Sequence, residues 1–243
     1  SHHLVHAVKA LYSSNMDKAL IIVADGRGSN YILDNGKQGH ETISVYFGSL
    51  EHGLDCFYKR LQTTREGHKA KVRANEIYGF DFIRDAITLK YFQDFDVDHR
   101  PVSGAFYSRM TNHLGFKPND EGKLMGLQAY GKPNKKIENI LSKDDLFVYK
   151  DKADKRINFS VNVEEYPELY YHKKLGYKQI HYDIAYESQK QFELQIVNIL
   201  RRFIHNTKNV IITGGCGLNV VFNYVLRKSL PSDINLYIDP LCG

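Results

Sequence analysis

The sequence predicts an α/β protein built on a parallel core sheet, and three observations predict it. An apolar run from Ala19 to Ala24 ends in Asp25-Gly26-Arg27-Gly28, the pattern of a buried strand delivered into a glycine turn. Between Asp183 and Ile238, a helical stripe, an apolar run, a glycine turn, a second stripe and a second apolar run follow in the order α-β-α-β, which implies parallel strands joined by crossover helices. The composition, 243 residues with 42% hydrophobic and 25% charged, is that of a chain able to bury such a core in one large domain or two packed lobes.

Taken in order, Leu4, Ala7, Val8 and Leu11 recur at helical spacing and predict a first helix. Lys18 to Ala24 is the first strand, and Asn30 to Leu33 and Thr42 to Phe47 alternate as strands about the turn signal Asp34-Asn35-Gly36, so a β-meander is expected. Residues 50–115 carry aliphatic and aromatic faces at Leu54 to Leu61, Phe80 to Phe92 and Ser103 to Leu114, which predict a helical insertion. Residues 117–180 are turn-rich, with short strands expected at Leu146 to Tyr149 and Ile157 to Val161. Asp183 is expected to cap a long helix striped by Ala185, Ser188, Phe192, Ile196, Ile199 and Phe203. Asn209 to Thr213 is a buried-type strand, Leu218, Val221, Phe222 and Val225 stripe the helix after it, and Asn235 to Ile238 is the last strand. The lobes are placed near 1–115 and 183–243, within a single domain spanning 1–243.

Charge and cysteine content exclude several classes. Lys and Arg exceed Asp and Glu by 33 − 28 = +5, which favours anionic ligands without requiring nucleic acid. Cys56, Cys216 and Cys242 are odd in number and far apart, which suggests neither a disulfide framework nor a zinc knuckle and fits a reducing cytoplasm. No apolar stretch approaches the ~18 to 20 residues that span a bilayer, and no signal peptide is visible.

Four segments can carry chemistry. His2 and His6 are four apart, so a helix brings both imidazoles to one face, within reach of one metal ion, and Asp25 at the end of the next strand can add an oxygen ligand. On spacing alone such a pair more often has a structural role, and Ser1-His2-His3 can be read as the scar of a tag. The turn from Asp25 to Gly28 can bring Gly26 and Gly28 amides to a phosphate, or serve only as a β-turn. Gly214-Gly215-Cys216-Gly217-Leu218-Asn219 follows a strand and opens a helix, where an anion or nucleotide is favoured; its glycines also suit a plain close turn. Glu121 to Pro133 contains Lys123, a candidate phosphate contact, within what also reads as a short helix ended by Gly131. Cys216 reads as a small packing residue.

Together and in order, His2-His3-Leu4-Val5-His6-Ala7, Val23-Ala24-Asp25-Gly26-Arg27-Gly28, Glu121-Gly122-Lys123-Leu124-Met125-Gly126-Leu127-Gln128-Ala129-Tyr130-Gly131, Ile212 to Asn219 and Asp239-Pro240-Leu241-Cys242-Gly243 closely resemble the NodU/CmcH-type O-carbamoyltransferases. The match runs from the first residues to the last and sets aside the tag reading. It implies an actin-like ATPase fold of two lobes, related to the enzymes that install threonylcarbamoyl groups on tRNA. In that family ATP, with magnesium, and carbamoyl phosphate give a carbamoyl-adenylate in a YrdC-like domain of the same full-length chain. The domain resembled here then passes the carbamoyl group to a hydroxyl of a small molecule or glycoside, as part of biosynthesis in the cytoplasm.

By motif position the resemblance implies that His2, His6 and Asp25 hold a divalent metal, taken as iron, and form the catalytic group. Asp25, Gly26, Gly28, Gly214, Gly215 and Asn219 would line the nucleotide cleft, with Lys123 as a further phosphate contact. A histidine or the metal would help to remove the acceptor's proton. The family's first strand and phosphate hairpin precede the histidine motif, and its last metal carboxylate follows the Cys-Gly pair. The 243 residues are therefore expected to be a central piece of a transferase, inactive alone and weak in metal affinity. Other functions to weigh are tRNA threonylcarbamoyl transfer, against which the HHxxHA and EGKxMGLxxYG forms argue, and a non-catalytic nucleotide-binding module.

Overall fold

A computed structural model describes residues 1–32, 38–63, 94–150 and 158–242. They divide into two units, one of residues 1–99 with 196–243 and one of residues 100–195. The expected turn Asp34-Asn35-Gly36 and the helical stretch Phe80 to Phe92 lie outside the described residues.

The first unit carries the site. Helix α1 (His2–Ser13) is capped by Ser1, whose hydroxyl accepts from the Leu4 amide. It buries His3, His6, Ala7, Ala10 and Leu11 along one face. Strands β1 (Lys18–Ala24), β2 (Asn30–Ile32), β3 (Gln38–Ser49), β4 (Gly53–Gln62), β5 (Asp94–Asp98), β8 (Asn209–Thr213) and β9 (Asn235–Ile238) form one mixed sheet. Its order is β5-β4-β3-β1-β8-β9, with β2 paired to β3. The meander β1-β3-β4 is antiparallel, and β1-β8-β9 run parallel. Central position explains why six successive residues of β1, Ala19 to Ala24, are buried on both faces. Ala7, Ala10 and Leu11 of α1 pack on Ala19, Ile21, Val23, Tyr46, Cys56 and Ile211, each burial of a Leu-sized side chain contributing ~1.5–3 kcal/mol. Helix α6 (Val220–Ser229) follows β8 and buries Phe222 and Leu226.

The second unit holds α2 (Ser103–His113), α3 (Glu121–Leu127), α4 (Lys135–Leu141), the hairpin β6 (Phe147–Lys150) and β7 (Asn158–Val161), and the start of α5 (Gln179–Phe203), which continues into the first unit. The Tyr107 ring packs tilted against Phe192 with centroids 4.9 Å apart, and its hydroxyl donates to Gln189 Oε1 at 2.6 Å, fixing α2 to α5.

The α/β class and most elements agree with the sequence patterns, and β1, β8 and β9 agree to the residue. Three expectations are corrected. Leu54 to Leu61 is not helical but forms β4: apolar residues spaced three and four apart suit either period in so short a run, and antiparallel pairing with residues 40–49 of β3 decides for strand. The helical insertion therefore shrinks, among the described residues of 50–115, to α2. Asp183 does not cap α5, which begins a turn earlier at Gln179; its carboxylate instead accepts the Lys132 amide and Asn134 Nδ2 at 3.0 and 3.1 Å. The glycines after β8 do not open an α-helix directly. Gly215–Leu218 is a 3-10 turn, and α6 starts at Val220 behind its own cap, Asn219, whose Oδ1 accepts the Phe222 amide.

Candidate metal centre and its surroundings

His2 and His6 sit one turn apart at the start of α1, and Asp25 is the first residue beyond β1, so helix and strand deliver three donor atoms to one point. His2 Nε2 lies 2.8 Å from Asp25 Oδ2 and 3.2 Å from His6 Nε2, and His6 Nε2 is 3.7 Å from the same carboxylate oxygen. Ligands bound at ~2.0–2.1 Å to one ion at right or tetrahedral angles stand roughly 2.8–3.4 Å apart, so the set fits a divalent cation with little adjustment. The other carboxylate oxygen, Oδ1, accepts the Gly26 amide at 2.6 Å, which aims Oδ2 at the imidazoles. Burial and the adjacent His2 hold His6 below the ordinary histidine range, which keeps its ring neutral and able to ligate. His6 Nδ1 is buried without a hydrogen-bond partner.

Directly behind this group is a buried charge pair. Lys59 Nζ donates to Glu41 Oε2 at 2.6 Å, and Tyr31 OH donates to the same oxygen at 3.0 Å. Burial opposes the charge on each. The Lys59 ammonium and hydrogen bonds from Lys59 and Ser29 outweigh it for Glu41, held well below the usual carboxylate range; Glu41 in turn holds Lys59 well above its own. The rings of Tyr31 and Tyr46 lie 5.3 and 5.7 Å from the ammonium. His3, fully buried, is pushed by desolvation down to about 4 and is neutral; its Nδ1 pairs with Ser44 Oγ at 2.8 Å.

The glycine segments meet the same point. Gly214 has φ +85°, and a Cβ there would stand 2.5 Å from Ala24 O; one at Gly215 would stand 3.1 Å from Asp25 Oδ1. The loop after β8 thus runs against the end of β1. The amides of Gly26 and Gly28 are engaged within the protein, by Asp25 Oδ1 and Glu41 O. A second carboxylate, Asp239, lies at the end of β9 and accepts from Thr213 Oγ1 at 2.8 Å and from the Leu241 amide at 3.0 Å. Lys9, one turn beyond His6, pairs with Asp239 at 3.2 Å and donates to Leu241 O. Burial pushes the neighbouring Cys242 thiol up to about 11, so it is no nucleophile at neutral pH. Asp25 and Asp239 both follow parallel strands, at the carboxyl edge where α/β sheets gather ligands.

A family described as Carbamoyltransferase N-terminus matches the sequence over residues 1–243. The chain belongs to that family. This carbamoyltransferase N-terminal domain is 33% identical over 145 residues to an uncharacterised protein of Methanocaldococcus jannaschii, a match covering 58% of this chain and 23% of that protein. It is 24% identical over 243 residues to Nodulation protein NolNO of Sinorhizobium fredii, covering 96% of this chain and 28% of the other. The domain spans about a quarter of the length of the curated relatives it matches.

Of the residues singled out in the sequence of the carbamoyltransferase domain, His2, His6, Asp25, Gly214 and Gly215 come together in the first unit, and Asn219 caps the helix beyond them. Lys123 belongs to the second unit, on the exposed side of α3, paired with Asp120 at 2.9 Å. Cys216 is buried, in keeping with a packing role. Sequence reading passed over Glu41, Lys59, Lys9 and Asp239. Glu41 lies just before the alternating run Thr42 to Phe47 and Lys59 within a stretch whose spacing suits a helix as well as a strand, so no local pattern pairs them. Among the described residues no helix is long and apolar enough to cross a membrane.

Proposed function

We propose that this domain performs the transfer half of an ATP-dependent O-carbamoylation, accepting a carbamoyl-adenylate and passing its carbamoyl group to a hydroxyl of a small molecule or glycoside. The observation that carries the reading is the convergence of His2, His6 and Asp25 in a chain whose whole length matches the carbamoyltransferase family. These three side chains would hold the metal, iron by resemblance, which supplies positive charge to oxygen atoms that become negative during transfer. Asp25 is oriented by the Gly26 amide, and Gly214 and Gly215 leave space beside it where side chains would intrude. Gly26, Gly28 and Asn219 shape the walls of the nucleotide cleft on this reading. In the transfer, the acceptor oxygen bonds to the carbamoyl carbon, the bond from that carbon to the adenylate phosphate breaks, AMP leaves with the electron pair, and a base takes the acceptor's proton.

The meander that feeds two parallel strands, with the candidate ligands at their carboxyl edge, supports the actin-like ATPase assignment for the fold. A YrdC-like domain elsewhere in the full-length protein would make the adenylate. The test is incubation of the full-length protein with ATP and radiolabelled carbamoyl phosphate. Labelled adenylate, followed by label on an added hydroxyl acceptor, is expected; ATP hydrolysis with no labelled adenylate would sink the assignment. Label appearing on tRNA instead would establish the threonylcarbamoyl-type alternative, and adenylate binding without turnover the non-catalytic one.

A further inference from the structure

We propose that Glu41 is the positioning residue of the metal centre, a single buried carboxylate that ties together the two segments from which the ligands project. The inference rests on the metal reading of His2, His6 and Asp25. Oε1 of Glu41 faces three donors: Ser1 Oγ at 3.2 Å, the His3 amide at 3.2 Å and the Ser29 amide at 3.0 Å. Two of these flank His2, and the third belongs to the turn that begins at Asp25. The backbone of Glu41 holds the same turn, accepting from the Gly28 amide at 2.8 Å and donating to Ser29 O at 3.0 Å. The loop is closed by the His2 amide, which donates to Ser29 Oγ at 2.9 Å.

The cost of this arrangement argues that position is what it supplies. A fully buried Glu–Lys pair is seldom more stable than an apolar pair of the same volume, because desolvation of both charges offsets their attraction. What an apolar residue at 41 cannot do is accept three hydrogen bonds from two separate backbone segments. Lys59 is placed to keep the carboxylate charged and its second oxygen occupied, leaving Oε1 for the ligand-bearing segments. Gly28 fits the same logic: a Cβ there would run into Glu41 Cγ and stand 2.8 Å from the His3 ring, so the turn can lie against the carboxylate only without a side chain.

The test compares two variants of the full-length protein in which both buried charges are gone. In Glu41→Gln/Lys59→Met the amide oxygen still accepts from the three donors; in Glu41→Leu/Lys59→Met nothing does. Cobalt(II), titrated by its visible absorption, should bind the glutamine variant within about threefold of wild type and the leucine variant roughly 10–100-fold more weakly, at temperatures where both are folded by circular dichroism. Equal affinity of the leucine variant and wild type, or equal loss in both variants, overturns the proposal. His6→Ala identifies binding at this centre. Should wild type and His6→Ala both fail to bind cobalt, the metal reading itself fails, and amide hydrogen exchange across residues 1–6 and 25–29 then decides the positioning role alone. Loss of protection in both segments of the leucine variant only supports it, and equal protection in the two variants overturns it.

Discussion

Lys59 Nζ and Glu41 Oε2 meet at 2.6 Å with both side chains almost wholly removed from solvent. Eighteen residues separate them in sequence, and only the pairing of β3 with β4 brings them together on one face of the sheet. Removing one partner leaves the other as an uncompensated buried charge, which costs about 3–5 kcal/mol. Lys59→Met should lose stability on that scale in urea unfolding; a loss below ~1 kcal/mol would mean that the pair is hydrated or broken in solution.

Asp25 offers one carboxylate oxygen to two imidazoles, and substitutions there separate the two halves of the proposed reaction. In the full-length protein, Asp25→Ala and His6→Ala should lower carbamoyl transfer to acceptor at least about a hundredfold while labelled adenylate continues to form. Equal loss of both steps would contradict a division of labour between domains.

The glycines of two motifs should respond in opposite directions. Gly214→Ala places a Cβ against Ala24 O at φ +85°, so it should cost roughly 2 kcal/mol or more and weaken metal binding through Asp25. Gly126 lies in α3 with open space around its missing Cβ, so Gly126→Ala should stabilise the protein by about 0.5–1 kcal/mol. Thermal unfolding of the two variants measures both; destabilisation by Gly126→Ala would show that something packs on that face.

Glu193 on α5 is buried, with its carboxylate accepting from Gln189 Nε2 at 2.7 Å, and desolvation raises its pKa. A carboxyl whose folded value lies above its unfolded value of 4.5 binds its proton more tightly when folded, so stability falls as pH rises from about 4.5 through the folded value. Glu193→Gln keeps the volume and an acceptor. It should raise the melting temperature at pH 7 and lose that advantage at pH 4; an equal shift at both values would assign the effect to packing.

Much of the fold was legible because its elements obey strong local rules. Six apolar residues in a row ended by Asp-Gly read as β1, and stripes at intervals of three and four read as α1, α5 and α6. The stretch from Leu54 to Leu61 misled because eight residues can satisfy both periods, and a strand's identity is settled by its neighbour. The histidine pair was legible by spacing, since four residues on a helix put two side chains on one face.

By itself the sequence determined the α/β class, the bounds of β1, β8 and β9 along the chain and which residues are candidates for metal-ligand chemistry, because these depend on composition and spacing within a few residues. Tertiary structure decided that His2, His6 and Asp25 converge within 3.7 Å, that Gly214 and Gly215 pack against Ala24 and Asp25, and that Glu41 ties the two ligand-bearing segments together. Apart from the His2–His6 pair, each of these contacts joins residues 12 to 190 positions apart, and no local pattern encodes it; only the register of β1 with β3 and β8 places those atoms side by side.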